Sequence, residues 1–293
     1  MGICNNRTVI ITGAGGGLGR AYAQALAAEG ANVVVNDIRL EAAQEAAAEI
    51  TRAGGKAIAN NDDITTVATA KKIVDAAIAA FGDVHAVVNN AGVLRDRMFV
   101  SLSEEDWDTV IRVHLKGHFC LANVLANHWR EQGKAGKPVD ARIINTSSGA
   151  GLQGSFAQSN YSSAKGGIAS LTLVQAVELK RYGITANALA PAARTAMTEA
   201  GMPDMVKKPE DGRFDFYDPL NVASLIIYLV SESSKHVTGQ VFEIEGDRVS
   251  VCDGWKTGPE KRKGGSRYTP QEIGVVIDEL IKVAAPPKKV WGT

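Results

Sequence analysis

Residues 8–30 read TVIITGAGGGLGRAYAQALAAEG, and this stretch decides the fold. Thr8–Thr12 is short, apolar and β-branched, the composition of a buried strand. A glycine-rich turn follows from Gly13 to Gly19, and residues 20–29 are Ala-rich and read as a helix. Strand, glycine turn and helix in this order form the context of a dinucleotide site. Glycine permits the tight turn and lets the backbone approach a pyrophosphate, while the helix N-terminus offers N–H groups to the anion. Gly13, Gly16, Gly17, Leu18 and Gly19 are therefore the candidate cofactor loop.

Downstream the pattern alternates. Residues 32–37 (NVVVND) read as a second strand, 40–53 as a helix, 56–60 as a third strand ending near Asp63 and Ile64, 66–81 as a helix, and 84–89 as a fourth strand leading into Asn90, Ala91 and Gly92. Strands alternating with helices imply a parallel sheet with right-handed crossovers. The expected fold class is α/β, a Rossmann-type doubly wound parallel sheet in a single domain with a C-terminal extension. Ligands of such sheets bind at the carboxyl ends of the strands. Asp37 lies roughly 20 residues past the glycines, where an acid bonds the ribose 2′-OH and repels a 2′-phosphate. Arg39 competes from two residues on, but the carboxylate favours NAD.

Ser103 followed by Glu104, Glu105 and Asp106 opens a helix expected to run through His114 to Trp129. Residues 131–141 read as an exposed loop and 141–148 (ARIINTSS) as the fifth strand. A helix through Tyr161 to Tyr182 comes next, then a strand over 185–189 closed by Pro191. Residues 197–217 have no clean period and form a candidate lid. A helix through Val230 and a last strand over 241–245 complete a domain expected to span 1–254. Residues 255–293 form a basic extension, eight cationic against four acidic side chains, and Thr269-Pro270-Gln271-Glu272 starts a short helix with a capping box.

The chemistry centres on residues 148–165, SGAGLQGSFAQSNYSSAK. Tyr161 and Lys165 stand four apart, on one face of a helix. A free phenol ionises near pH ~10, and a neighbouring ammonium lowers that value. Tyr161 then exchanges a proton with an alcohol or carbonyl oxygen, and the Ser148 hydroxyl is placed to hold the same oxygen.

The bulk composition narrows the partners. With 293 residues, 32 basic and 32 acidic, the chain has no net charge to attract nucleic acid or membranes. No apolar run approaches the ~20 residues of a membrane span. Cys4, Cys120 and Cys252 match no metal-ligand spacing, and no metal is expected. The early first strand leaves no room for a signal peptide, Asn6 breaks the myristoylation motif, and Trp291-Gly292-Thr293 is not a peroxisomal address. The expected location is cytoplasmic.

TGAGGGLG (12–19), Asp37, Asp63, NNAG (89–92), Ser148 and Tyr161 through Lys165 resemble the short-chain dehydrogenase/reductase family over residues 7–250. Within it, TGAGGGLGRAYA, NNAGVLRDR, EEDWD, RVHLKG and the tail are most similar to the 3-hydroxyacyl-CoA dehydrogenase module of type 2 peroxisomal multifunctional enzymes. The resemblance implies that Ser148 orients the substrate oxygen, Tyr161 is the acid/base, and Lys165 lowers the Tyr161 pKa and holds the nicotinamide ribose. It implies that Asn90, Asp63 and Ile64 line the adenosine half and that Thr195 contacts the carboxamide. His114 stands where the family usually has Asn; it is either a fourth relay member or a packed histidine. Pro191-Ala192 replaces the usual Pro-Gly.

The function expected is NAD-dependent hydride transfer between nicotinamide and a secondary alcohol or ketone, in lipid metabolism. The substrate expected is 3-hydroxyacyl-CoA, its phosphates met by Arg194, Lys207, Lys208 and Lys261 to Lys263. The alternatives are a hydroxysteroid or other free alcohol, and an NADPH-dependent 3-oxoacyl reductase. A homodimer or homotetramer through the helices at 102–129 and 159–182 is also implied.

Overall fold

The structure, a computed structural model, describes residues 2–286. Lys288, Lys289 and the Trp291-Gly292-Thr293 end lie outside the described residues. The strands are β1 (Thr8–Thr12), β2 (Asn32–Asn36), β3 (Lys56–Asn60), β4 (Ala86–Asn89), β5 (Ala141–Thr146), β6 (Ile184–Ala192), β7 (Val241–Glu245) and β8 (Arg248–Val251). They form one sheet in the order β3-β2-β1-β4-β5-β6-β7-β8. All neighbours are parallel except β7 and β8. The strand order reverses between β1 and β4, which opens a crevice at their carboxyl ends.

Buried strands covered on both faces read as continuous apolar runs, and VIIT and AVVN are of that kind. One face carries α1 (Gly17–Ala28), α2 (Leu40–Arg52) and α10 (Leu220–Val230) around Tyr22, Leu26, Ile50, Ile226 and Leu229. The other carries α3 (Val67–Phe81), α5 (Gly117–Lys134) and α7 (Ser159–Leu179) around Ile73, Leu121, Leu125 and Trp129. The Trp129 indole N–H donates to the Val84 carbonyl at 2.7 Å, so the largest core side chain is also satisfied.

Several boundaries differ from the sequence reading. Helix α1 starts at Gly17 rather than Arg20, because Arg20 N–H already bonds the Gly16 carbonyl. The helix expected over 103–129 is divided into α4 (Glu104–Ile111), a π-helical turn (Arg112–Lys116) and α5. Helix α5 also continues into the expected loop, to Lys134. Pro191 does not close β6. Beyond the Leu189–Thr146 pair β6 faces only β7, so a residue without an N–H is tolerated there. Among the elements that went unread are α6 (Gly149–Gln153), too short for a helical period to repeat, and the exposed antiparallel strand β8. The expected irregular lid holds α8 (Ala196–Gly201) and α9 (Pro203–Val206).

Past β8 the chain carries α11 (Pro270–Val283), whose Thr269–Glu272 capping box forms as read and whose residues are all exposed or half-buried. Lys261 pairs with Glu279, Lys263 with Glu272 and Arg262 with Glu260, so the basic extension neutralises much of its own charge. Among the described residues no helix is long and apolar enough to cross a membrane.

A buried polar network fixes the elements that carry the site. Asn145 on β5 accepts from Asn89 on β4 at 3.0 Å and donates to Thr172 Oγ1 and Gln175 Oε1 on α7 at 2.9 and 2.8 Å. Removing it leaves several enclosed groups unpaired. Asn145→Ala is expected to lower unfolding stability by roughly 2–4 kcal/mol, read from the urea midpoint at constant slope.

Candidate active site

The glycine turn is shaped by what it touches. A Cβ at Gly13, which has φ +63°, would lie 2.8 Å from the Ala91 backbone, and one at Gly19 would lie 2.3 Å from the Gly13 carbonyl. These two glycines let the β1 turn press against α1 and the loop after β4. Gly16 and Gly17 instead face open space, the nearest atoms to an added Cβ being Arg39 Nη2 at 3.7 Å and Thr195 Cγ2 at 3.5 Å. Side chains there would fill the cradle. Helix α1 begins with no side-chain cap and no acid in its first turn. The residues present fit a dinucleotide pyrophosphate: a bare backbone cradle at a helix N-terminus.

Asp37 ends β2 with a buried carboxylate that accepts from Gly15 N–H and Arg39 N–H, each at 3.0 Å. Arg39 Nε lies 3.4 Å from the same carboxylate and is thereby drawn toward it. Asn90 donates to the Thr12 carbonyl at 3.0 Å, so it braces the glycine turn. Asp63 accepts from the Thr65 N–H and hydroxyl, and Ile64 is buried where Gly117 has no side chain. Gly92 is required by another side chain, since a Cβ there would sit 2.2 Å from His114 Cε1. Thr195 caps α8 and reaches the glycine turn.

Ser148, Tyr161, Lys165 and His114 come together at the carboxyl end of β5. Ser148 caps α6, its Oγ accepting from Ala150 N–H. Burial pushes the Tyr161 phenol up, a hydrogen bond with Ser148 pulls it down, and the Asp96 carboxylate raises it again. Lys165 is buried, its Nζ 5.6 Å from the Tyr161 ring centroid and donating to the Thr146 carbonyl at 2.6 Å. Burial pulls this ammonium down to about 7. The expected lowering of Tyr161 by Lys165 is thus not what governs the phenol in this arrangement; enclosure outweighs it, and Lys165 itself is the strongly shifted group.

His114 is packed and also in contact with the site. Its Nε2 lies 2.9 Å from Val93 N and 2.8 Å from Val93 O, and its ring meets Tyr161 edge-on at 5.3 Å. Burial, then the Lys165 charge, pushes it down to about 3, so the imidazole is neutral at working pH. It sits in the π-helical turn, a distortion that recurs at functional sites. The sequence reading missed His118, which is fully buried one turn on, with Nε2 3.4 Å from Thr146 N. Its spacing of four from His114 was the available signal.

The lid is latched. Arg194 donates to the Val206 carbonyl at 2.8 Å and pairs with both oxygens of Asp215, while its own N–H bonds the Tyr217 carbonyl. Arg194 therefore ties the segment together and is not displayed for a substrate phosphate as expected, whereas Lys207 remains exposed in a surface pair with Glu210. The exposed side chains of the lid include Met197, Met205 and Phe214.

Burying an ammonium costs stability. The unfolded chain holds the Lys165 proton to about pH 10, while the folded chain releases it near 7. Between these values the unfolded state binds more protons, so stability rises with pH and the penalty is full below the folded pKa. Lys165→Met is expected to melt several degrees higher than the unsubstituted protein at about pH 6, with the gap closing toward about pH 10. Calorimetry across that range checks it.

Comparison with known proteins covers the same residues. The profile for short chain dehydrogenases matches residues 7–205. Hydroxyacyl-CoA dehydrogenase ChsB1 of Mycobacterium tuberculosis is 42% identical over 299 residues, spanning 99% of this chain and 93% of that protein. Peroxisomal multifunctional enzyme type 2 of Mus musculus is 40% identical over 92% of this chain, which spans only 36% of that longer protein. The crystal structure of a short chain dehydrogenase from Mycobacterium avium superposes with a TM-score of 0.90 at 48% identity, over 100% of both chains. From the cofactor turn to the lid, one family accounts for the match, and the chain belongs to the short chain dehydrogenases.

Proposed function

We propose that this chain is an NAD-linked oxidoreductase that oxidises a 3-hydroxyacyl-CoA to the 3-oxoacyl form. The observation that carries the redox reading is the meeting of Ser148, Tyr161 and Lys165 beside the glycine cradle. The substrate class rests on the named relatives, foremost hydroxyacyl-CoA dehydrogenase ChsB1 and peroxisomal multifunctional enzyme type 2.

The cofactor, when bound, supplies the nicotinamide carbon that takes the hydride. Gly13, Gly16, Gly17, Leu18 and Gly19 hold its pyrophosphate, Asp37 its adenosine ribose, and Asp63, Ile64, Asn90, Ala91 and Gly92 flank the crevice. Thr195, which reaches the glycine turn beside Gly17, would contact the carboxamide. Ser148 Oγ orients the substrate oxygen, and Tyr161 takes the hydroxyl proton in oxidation and returns it in reduction. Lys165 brings a positive charge toward the phenol and the ribose. Neutral His114 holds the Val93 backbone and packs the Tyr161 ring, and its second nitrogen is available to pass the proton on.

A free secondary alcohol such as a hydroxysteroid is the second reading. It is favoured by the lid itself, where Arg194 is engaged by Asp215 and Met197, Met205 and Phe214 are exposed. Exposed Trp107 on α4, Phe119 on α5 and Leu173, Val174 and Val177 on α7 suit a homodimer or homotetramer. The buried thiols of Cys4 and Cys120 suit the reducing cytoplasm. Residues 1–254 form the catalytic part and 255–293 an appended extension.

Tyr161→Phe is expected to cut kcat at least 100-fold with little change in cofactor KM, as loss of a general acid/base does. NADH formation from 3-hydroxyacyl-CoA checks both parts. Turnover surviving in the variant sinks the mechanism, and a preference for free steroid alcohols replaces the substrate. Asp37→Ser is expected to weaken NAD and strengthen NADP, shifting the kcat/KM ratio between them by 10-fold or more; an unsubstituted enzyme preferring NADPH overturns the NAD assignment.

A further inference from the structure

Tyr161 sits near the start of α7, and the start of that helix is held from outside. Gln158 occupies the cap position yet makes no cap hydrogen bond of its own. Its side-chain N–H donates instead to Asp96 Oδ2 at 2.9 Å, on the loop after β4. The same loop is joined to the segment before Tyr161 at three further points. Arg97 N–H bonds the Ala157 carbonyl at 2.9 Å, Asn160 donates to the Arg95 carbonyl at 3.0 Å, and Arg97 and Gln158 form a parallel bridge. Ala157 is held at φ +58°, a left-handed conformation that a non-glycine residue adopts only when its surroundings impose it. Asn160 is fully buried and accepts from the Tyr161 N–H at 2.7 Å.

Asp96 stands out within this arrangement. Its second oxygen, Oδ1, is enclosed without a hydrogen-bond partner among the described residues. A carboxylate kept half-satisfied at that place is costly, and an isosteric amide would serve the Gln158 contact equally well. What the amide would lack is the charge. The groups that face Tyr161 are few. Lys165 lies on its own helix and His114 on the π-helical turn, while Asp96, tied to Gln158, brings a negative charge to the start of that helix. Nearby Arg95 leans to Asp106 at 3.7 Å, and Arg97 donates to the Asp96 backbone carbonyl.

We propose that Asp96 is a positioning residue for the proton transfer: its carboxylate, anchored to Gln158, fixes the start of α7 and sets a negative charge against the Tyr161 phenol. This rests on the assignment of Tyr161 as the acid/base. In reduction the charge keeps the phenol's proton in place for the substrate oxygen. In oxidation the phenol is ionised before it takes the hydroxyl proton, so the same charge sets the pH at which oxidation begins, while the tether fixes where the proton is exchanged. Raising of Tyr161 by Asp96 agrees in sign.

Two substitutions separate charge from tether. Asp96→Asn keeps the shape and the acceptor but removes the charge; Gln158→Ala keeps the charge but cuts the tether. The Tyr161 phenol is titrated by isotope-edited NMR of Cζ-labelled tyrosine, with the signal assigned by its loss in Tyr161→Phe, and kcat is measured on an alcohol the unsubstituted enzyme oxidises. Asp96→Asn is expected to lower the Tyr161 midpoint by roughly half a unit or more and to move the ascending limb of the kcat profile the same way. Gln158→Ala is expected to leave the midpoint in place and to cut kcat several-fold at unchanged cofactor KM. A Tyr161 midpoint that does not move in Asp96→Asn overturns the proposal, as does full kcat in Gln158→Ala. The phenol titration needs no turnover, so a failed substrate or acid/base assignment shows separately, in the Tyr161→Phe kinetics.

Discussion

The hydroxyl of Thr12, at the last position of β1, accepts the backbone N–H groups of both Asn90 and Ala91 at 3.0 Å. Asn90 answers by donating to the Thr12 carbonyl. This reciprocal lock closes the two loops that diverge at the reversal of strand order. The cofactor turn can then lie against the loop after β4 only because Gly13 and Gly19 lack a Cβ. The path from β4 onward inherits that position. Val93 meets His114, Arg95 meets Asn160, and Asp96 meets Gln158. The placement of Tyr161 is thus transmitted from the end of β1 through a chain of backbone contacts.

The site concentrates features that cost stability elsewhere. Lys165 is an ammonium buried against a carbonyl, His114 and His118 are imidazoles held neutral by enclosure, and Ala157 carries a left-handed backbone. Such costs persist where the surroundings over-determine the geometry. Here the Asn145 network and the two hydrophobic layers on either side of the sheet supply that rigidity. The 197–217 segment follows the same logic on a smaller scale, with Arg194 and Asp215 holding two short helices that carry Met197 and Met205.

Two charge assignments show how sequence and structure divide. The cations at Arg194 and Lys207 looked available for substrate phosphates, since both lie beside the lid. Packing gave Arg194 the carboxylate of Asp215, from the far end of the same segment, while Lys207 stays exposed beside Glu210, three residues on. Conversely, Gly92 belongs to a motif that reads as cofactor-facing, yet its missing side chain makes room for His114. Spacing along the chain foresees neither the Arg194–Asp215 pair nor the Gly92–His114 contact, because each depends on how a loop folds back.

By itself the sequence determined the α/β class, the strand–turn–helix unit with its glycine turn, the acid directly after β2 and the i, i+4 relation of Tyr161 to Lys165. These follow from local rules: β-branched runs, glycine conformations and the helical period act within a few residues. The short helix α6, strand β8, the π-helical turn and the continuation of β6 through Pro191 were decided by tertiary structure, since each depends on a neighbour distant in sequence. The protonation of the site was decided there too. The residues Tyr161, Lys165, His114 and Asp96 are written in the chain, but how far each is enclosed, and which charge faces which, exists only once the loop after β4 is stitched to the start of α7.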